Sequence, residues 1–210
     1  MKWTHILIAA AALLFPGLAM AIEEPVYEVT RSDGDIELRA YAPMIVAEVI
    51  VDGAMDRASS RGFRMIAGYI FGDNTSRNGP SEKIAMTAPV TMSDANPETS
   101  EKIAMTAPVT MQAENEQWRV HFVMPSSYTL DSLPAPNNDQ VKLRSVPGST
   151  YAAIRFSGLA GEKKVAEKIR ELLGWLEANG ITPIAEPELA RYNPPWTLPF
   201  LRRNEILVRY

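Results

Sequence analysis

The chain predicts an α+β domain built from two strand-rich halves. Each half carries one helix, with the sheet closed or nearly closed and the helices packed outside it. Two internal resemblances point there. The segment Phe63–Ile70 (FRMIAGYI) aligns with Ile169–Leu176 (IRELLGWL): Phe63 falls on Ile169, Arg64 on Arg170, Ile66 on Leu172, Gly68 on Gly174, Tyr69 on Trp175 and Ile70 on Leu176. The phrase SEKIAMTAPVTM occurs twice without change, at Ser81–Met92 and at Ser100–Met111. A third observation sets the pattern: each helical segment follows a strand-like one, Ile45–Val51 before the first and Tyr151–Ser157 before the second.

The helices follow from apolar spacing. Ser59, Phe63, Ile66 and Ile70 form a 4-3-4 stripe, as do Val165, Ile169, Leu172 and Leu176; that spacing turns one face to a core. Asp73-Asn74 and Asn179-Gly180 are the expected stops. Further strands are expected at Val26–Arg31, Ile36–Tyr41, Trp118–Met124, Val141–Val146 and Asn204–Arg209. Trp118, Val120, Phe122 and Met124 alternate with Arg119, His121 and Val123, as in a half-buried strand. In each SEKIAMTAPVTM copy the apolar positions also alternate. The connector Ser93–Thr99 (SDANPET) is turn chemistry, so the two copies are expected to pair as a hairpin. The loop Ser126–Asn138 is rich in Ser, Pro and Asn.

The N-terminus predicts export. Lys2 precedes an apolar run, Ile6–Phe15, broken at Pro16 and followed by the Ala19-Met20-Ala21 box, which is signal-peptide order. Residues 1–21 are expected to be a signal peptide and residues 22–210 one domain, placed in the periplasm or secreted. The apolar run is short for a bilayer span of about 20 residues, and no membrane span is expected after cleavage. The chain has 21 Lys+Arg against 25 Asp+Glu, a net charge of −4. That balance argues against nucleic acid, whose phosphates require a basic footprint. There is no cysteine, so the fold stands without disulfides, and covalent Cys-x-x-Cys-His haem attachment is excluded.

Catalytic constellations are sparse. The two histidines are His5, inside the leader, and His121. Cys–His chemistry is excluded, a Ser–His–Asp set would depend on His121, and no zinc spacing or Gly-rich phosphate loop is present. Carboxylate pairs keep acid–base chemistry open. No enzyme activity is expected.

The phrase KIAMTAPV, the run HFVMPSSYTLDSLPAP and the C-terminal YNPPWTLPFLRRNEILV, in this order, resemble the SOUL haem-binding protein family, and the resemblance covers the chain from about Val26 to Arg209. The resemblance implies a distorted antiparallel β-barrel with two flanking helices and an internal pseudo-two-fold repeat. It also implies non-covalent binding of haem or another porphyrin. It places the tetrapyrrole in an apolar groove along the first helix, at Phe63 and Ala67, with Arg61 and Arg64 near the propionates. Tyr69 and, on the second helix, Leu173 and Trp175 flank the stripes and complete the expected set. For iron, His121, Met86 and Met105 are the candidates. His121 reads first as a surface strand histidine, and the methionines first as adaptable core packing; the resemblance lends His121 no support. The loop Tyr192–Phe200 reads either as a rigid lip over the groove or as a cover for the barrel end. The alternative function is a scaffold of the same fold for another small molecule or a protein partner.

Overall fold

The computed structural model describes residues 22–77, 79–95, 117–194 and 196–210. Strands β1 (Tyr27–Asp33) and β2 (Ile36–Tyr41) form a hairpin whose turn contains Gly34 at φ +59°. Then come β3 (Met44–Asp52), α1 (Met55–Ile70), β4 (Asn74–Thr75), β5 (Val90–Asp94), β6 (Gln117–Val123), β7 (Ala135–Pro136), β8 (Lys142–Val146), β9 (Ser149–Phe156), α2 (Glu162–Ala178), β10 (Glu188–Arg191) and β11 (Asn204–Arg209). Nine strands make one antiparallel sheet in the order β1-β2-β9-β11-β10-β5-β6-β3-β8; β4 and β7 pair separately.

Two short corners force this sheet to curl. Residues 42–43 join β2, second in the order, to β3, eighth; residues 147–148 join β8, ninth, to β9, third. Six strand spacings laid flat would span about 29 Å, whereas a two-residue link reaches about 10 Å. The sheet therefore closes on itself as a half-barrel. It does not become the expected closed barrel, and the pairing explains why. β2 already has β1 and β9 on its two sides, and β3 has β6 and β8. At the other corner the free edge of β8 meets β9, which is already flanked by β2 and β11, so neither corner can add a ladder.

Both helices lie on the outer face. α1 covers β3 and β6, and α2 covers β9 and β11. Val49, Val120, Phe122, Ile154 and Ile206 point outward into one core with Ile66, Ile70, Ile169, Leu172 and Leu176. The α2 stripe is buried as spaced. Its stop is a Schellman turn: the Gly180 N–H bonds Glu177 O at 3.0 Å and the Ile181 N–H bonds Leu176 O at 2.9 Å, with Gly180 at φ +68°. On α1 the buried face is rotated from the expected stripe. It consists of Met55, Ala58, Gly62, Ile66, Ala67, Tyr69 and Ile70, and Phe63 is half-buried. Gly62 is the reason. A Cβ there would lie 2.8 Å from Val120 Cβ, so the helix seats its smallest residues on β6 and turns Phe63 aside.

The inner face is polar and tightly paired at one end. Arg39, 3 % exposed, meets the fully buried Glu205 through both terminal guanidinium nitrogens, at 2.6 and 3.1 Å. Glu205 also accepts from the Tyr192 hydroxyl at 2.7 Å and from Arg203 at 3.0 and 2.9 Å. Burial alone would raise the Glu205 carboxyl. The hydrogen bonds and charge of Arg39, helped by Tyr192 and Arg203, instead hold it below the ordinary carboxylate range.

The SEKIAMTAPVTM copies fare differently from expectation. In the first, the strand begins only at Val90. Residues 81–86 are instead tied to the end of α1: Asn74 bonds both backbone groups of Glu82, and the Ile84 N–H bonds Ile70 O. The second copy, and so the expected hairpin, lies outside the described residues.

Candidate functional site

Helix α1 presents a cationic stripe. Arg57, Arg61 and Arg64 are all exposed. At 100° per residue their positions fall within about 60° of one another. None of the three has a hydrogen-bond or ion-pair partner among the described residues. Arg61 and Arg64 were legible as candidates; Arg57 was not singled out, although its spacing of four and seven places it on the same line. Phe63 is half-buried, its ring 5.5 Å from that of Phe122. Ala67 is 8 % exposed, on the core side of the helix rather than at its edge. Tyr69 is 1 % exposed, and its hydroxyl donates to Pro134 O at 3.0 Å.

Beside the first half of α1 stands an apolar projection. Trp196 is 82 % exposed, and Leu159, Leu198, Phe200 and Leu201 are each more than half exposed. Prolines stiffen this segment, and the Gly158 N–H bonds Pro199 O at 3.0 Å, which sets Leu159 against it. Arg191 joins the projection to the helix: it donates to Ser59 Oγ at 2.7 Å on α1 and to Ala160 O at 3.0 Å. The sequence marked the loop by its prolines and aromatics; nothing in the pattern marked Leu159 or the Arg191 tie. Tyr192, at the loop's start, is buried on the inner face and belongs to the Glu205 network.

The α2 residues are placed elsewhere. Leu173 and Trp175 are half-buried. The Trp175 indole N–H donates to Asp33 at 2.8 Å, and Arg31 lies over its ring at 5.0 Å. These contacts fix Trp175 to the β1–β2 hairpin, at the sheet edge far in strand order from β3 and β6 under α1.

His121 is half-buried rather than exposed. It lies on the inner face between Glu48 of β3 and Thr91 of β5. Its Nδ1 is buried without a hydrogen-bond partner, and burial pushes its pKa down to about 4 against the pull of Glu48. The alternation of β6 puts Val120 and Phe122 toward α1 and His121 away from it. A group held on α1 is therefore separated from His121 by the sheet. Met86 is half-buried against the core, and Met105 lies outside the described residues. Among the described residues no cluster of three His, Cys, Asp or Glu side chains could hold a metal, and no helix is long and apolar enough to cross a membrane.

Solved structures share the fold at low identity. A hydrolase from Listeria innocua is 12 % identical, with a TM-score of 0.56, over 83 % of this chain and 90 % of that one. An uncharacterised conserved protein from Listeria innocua is 12 % identical, with a TM-score of 0.57, over 83 % and 91 %. The C-terminal domain of EcmrR is 13 % identical, with a TM-score of 0.56, over 88 % and 97 %. Such likeness speaks for the fold alone. No curated protein matches the chain. The profile of the SOUL haem-binding proteins matches two segments, residues 22–99 and 92–209. With nearly all of its length from residue 22 onward covered, the chain belongs to the SOUL haem-binding protein family.

Proposed function

We propose that this is an exported tetrapyrrole-binding protein that holds haem or another porphyrin non-covalently on the outer face of α1. The carrying observation is the unpaired stripe Arg57, Arg61 and Arg64 on α1, taken with the exposed apolar projection of Trp196, Leu198, Phe200, Leu201 and Leu159 that Arg191 ties to Ser59 of the same helix. A porphyrin has an apolar plane and carboxylates at one edge. Guanidinium groups suit the carboxylates by charge-assisted bonds, and the projection suits the plane. Phe63 and Ala67 support this face from beneath. Iron ligation by His121 has no route from there. Export rests on the leader-like residues 1–21, and no catalytic role is assigned.

The pseudo-two-fold repeat belongs to the same reading. Setting aside β1, the sheet order β2-β9-β11-β10-β5-β6-β3-β8 maps onto its own reverse, pairing β2 with β8, β9 with β3, β11 with β6 and β10 with β5. Each half is then strand–strand–helix–strand–strand, and the halves exchange their first strands. The strand order and the two family segments support this repeat.

The test is a haemin titration of the purified protein. A Soret band that saturates near one equivalent, and persists unchanged in His121→Ala, is the expected result. Absence of a saturable band contradicts the proposal.

A further inference from the structure

The inner face is complete at one end and unfinished at the other. Glu205 receives five donor contacts from three side chains. Glu188, on the same face of the next strand, makes no hydrogen bond among the described residues. Its surroundings are cationic. Ser93 of β5 stands opposite Arg119 of β6. Glu188 stands opposite Leu207 of β11, and Arg209 follows two positions later on the same face. The curl brings Arg144 of the edge strand to the same centre, so that Arg119, Arg144 and Arg209 all act on the Glu188 charge.

Three buried nitrogens here lack partners. Arg119 Nε, Arg209 Nε and His121 Nδ1 are buried with no hydrogen bond. Arg119 has only Glu48, at 3.9 Å, and Glu48 is already engaged by Arg144 at 2.8 Å. Arg209 has no ion-pair or hydrogen-bond partner among the described residues. An unmet buried polar group costs about 1–3 kcal/mol, so three in one cluster call for a physical reason. A shallow cavity of about 500 Å³, largely open to solvent, lies beside Arg209, which lines it with Tyr41, Ser149, Ile184 and Tyr210.

We propose that the inner face around Arg119, Arg209 and Glu188, entered through the cavity beside Arg209, binds a small molecule bearing an oxyanion, a carboxylate or a phosphate. Three guanidinium groups, Arg119, Arg144 and Arg209, outnumber the two carboxyls of this face, Glu48 and Glu188, and planar forks match oxyanions by paired hydrogen bonds. Burial pushes the Glu188 carboxyl up to about 7, although the three arginines pull it down. Near neutral pH much of it is protonated and able to donate to an anion. This site is on the opposite face of the sheet from α1 and does not depend on tetrapyrrole binding there.

The experiment titrates the purified protein with inorganic phosphate and, separately, with succinate, followed by calorimetry and by amide chemical shifts. Binding of either is expected, with Arg119→Gln and Arg209→Gln each weakening it at least about tenfold and Glu188→Gln leaving it equal or tighter. Preference for phosphate or for succinate supports the proposal and names the source of the oxyanion. Haemin titration of Arg209→Gln is expected to match the parent, which separates this site from the α1 face. Where a glutamine variant loses its fold, Arg209→Lys keeps the charge and loses the fork; an affinity equal to the parent's in that variant overturns the proposal. So does failure of both probes to bind, parental binding in folded Arg119→Gln and Arg209→Gln, or loss of binding in Glu188→Gln.

Discussion

Replacing Glu205 with glutamine tests what holds the inner face together. The carboxylate is fully buried and accepts from Arg39, Tyr192 and Arg203. Glu205→Gln keeps the shape, removes the charge and leaves a 3 %-exposed Arg39 facing a neutral amide. Breaking one side of a buried ion pair costs about 3–5 kcal/mol. The lower end applies here, because each arginine keeps a second carboxylate: Glu37 lies 2.7 Å from Arg39, and Glu24 lies 3.0 Å from Arg203. A loss of about 3 kcal/mol is expected. With a urea slope of about 2 kcal/mol/M, the unfolding midpoint should fall by about 1.5 M with the slope unchanged. The double variant Arg39→Met/Glu205→Leu should recover much of that loss, since an apolar pair leaves no uncompensated charge. A midpoint shift in Glu205→Gln under about 0.5 M, or a double variant as unstable as the single, would refute the reasoning.

Three other perturbations are readable, the last two with opposite signs in their pH dependence. Gly62→Ala places a methyl 2.8 Å from both Cβ and Cγ2 of Val120; it should cost about 1–3 kcal/mol by overpacking, and Val120→Ala in the same chain, which removes the Cγ contacts and keeps the Cβ one, should restore part of it, both read by urea unfolding. His121 has a folded pKa lowered from 6.5 to about 4 by burial, so the stability it contributes is present above pH 6.5 and lost as pH falls toward 4. Glu188 has a folded pKa raised from 4.5 to about 7 by burial, so its contribution is present below pH 4.5 and lost as pH rises through 7. Relative to the parent, His121→Gln should gain on acidification and Glu188→Gln on alkalinisation, each by about 2 kcal/mol given partial exposure; thermal midpoints at pH 4.5 and 7.5 that move together would contradict both.

The sequence made the parts of the fold legible more readily than their arrangement. The α2 stripe of Val165, Ile169, Leu172 and Leu176 is buried as its spacing implied, because medium and large apolar side chains define that face. On α1 the face is set by Gly62, whose missing Cβ carries no weight in a hydrophobic pattern and only matters once Val120 is opposite it. Val90–Asp94 is a strand, but the preceding part of its phrase is held by Asn74 and Ile70, contacts that alternation cannot express. Similarly, Arg119, His121 and Val123 read as the solvent side of a half-buried strand. Alternation distinguishes two faces of a strand; it does not say that a curled sheet encloses the second. The curl follows from two short corners only when the strand order is known. Of the candidate site, Arg61, Arg64 and the proline-rich loop were legible from composition and resemblance. Arg57, Leu159 and the Arg191 tie needed the three-dimensional neighbourhood.

The most direct measurement is haemin affinity of the charge-reversed pair Arg61→Glu/Arg64→Glu, compared with the parent by Soret titration. Both side chains are exposed and unpaired, so far-UV circular dichroism should be unchanged. Affinity should fall at least about tenfold, or 1.4 kcal/mol, with larger losses at low salt. Parental affinity in the folded double variant would contradict placement of the tetrapyrrole on α1.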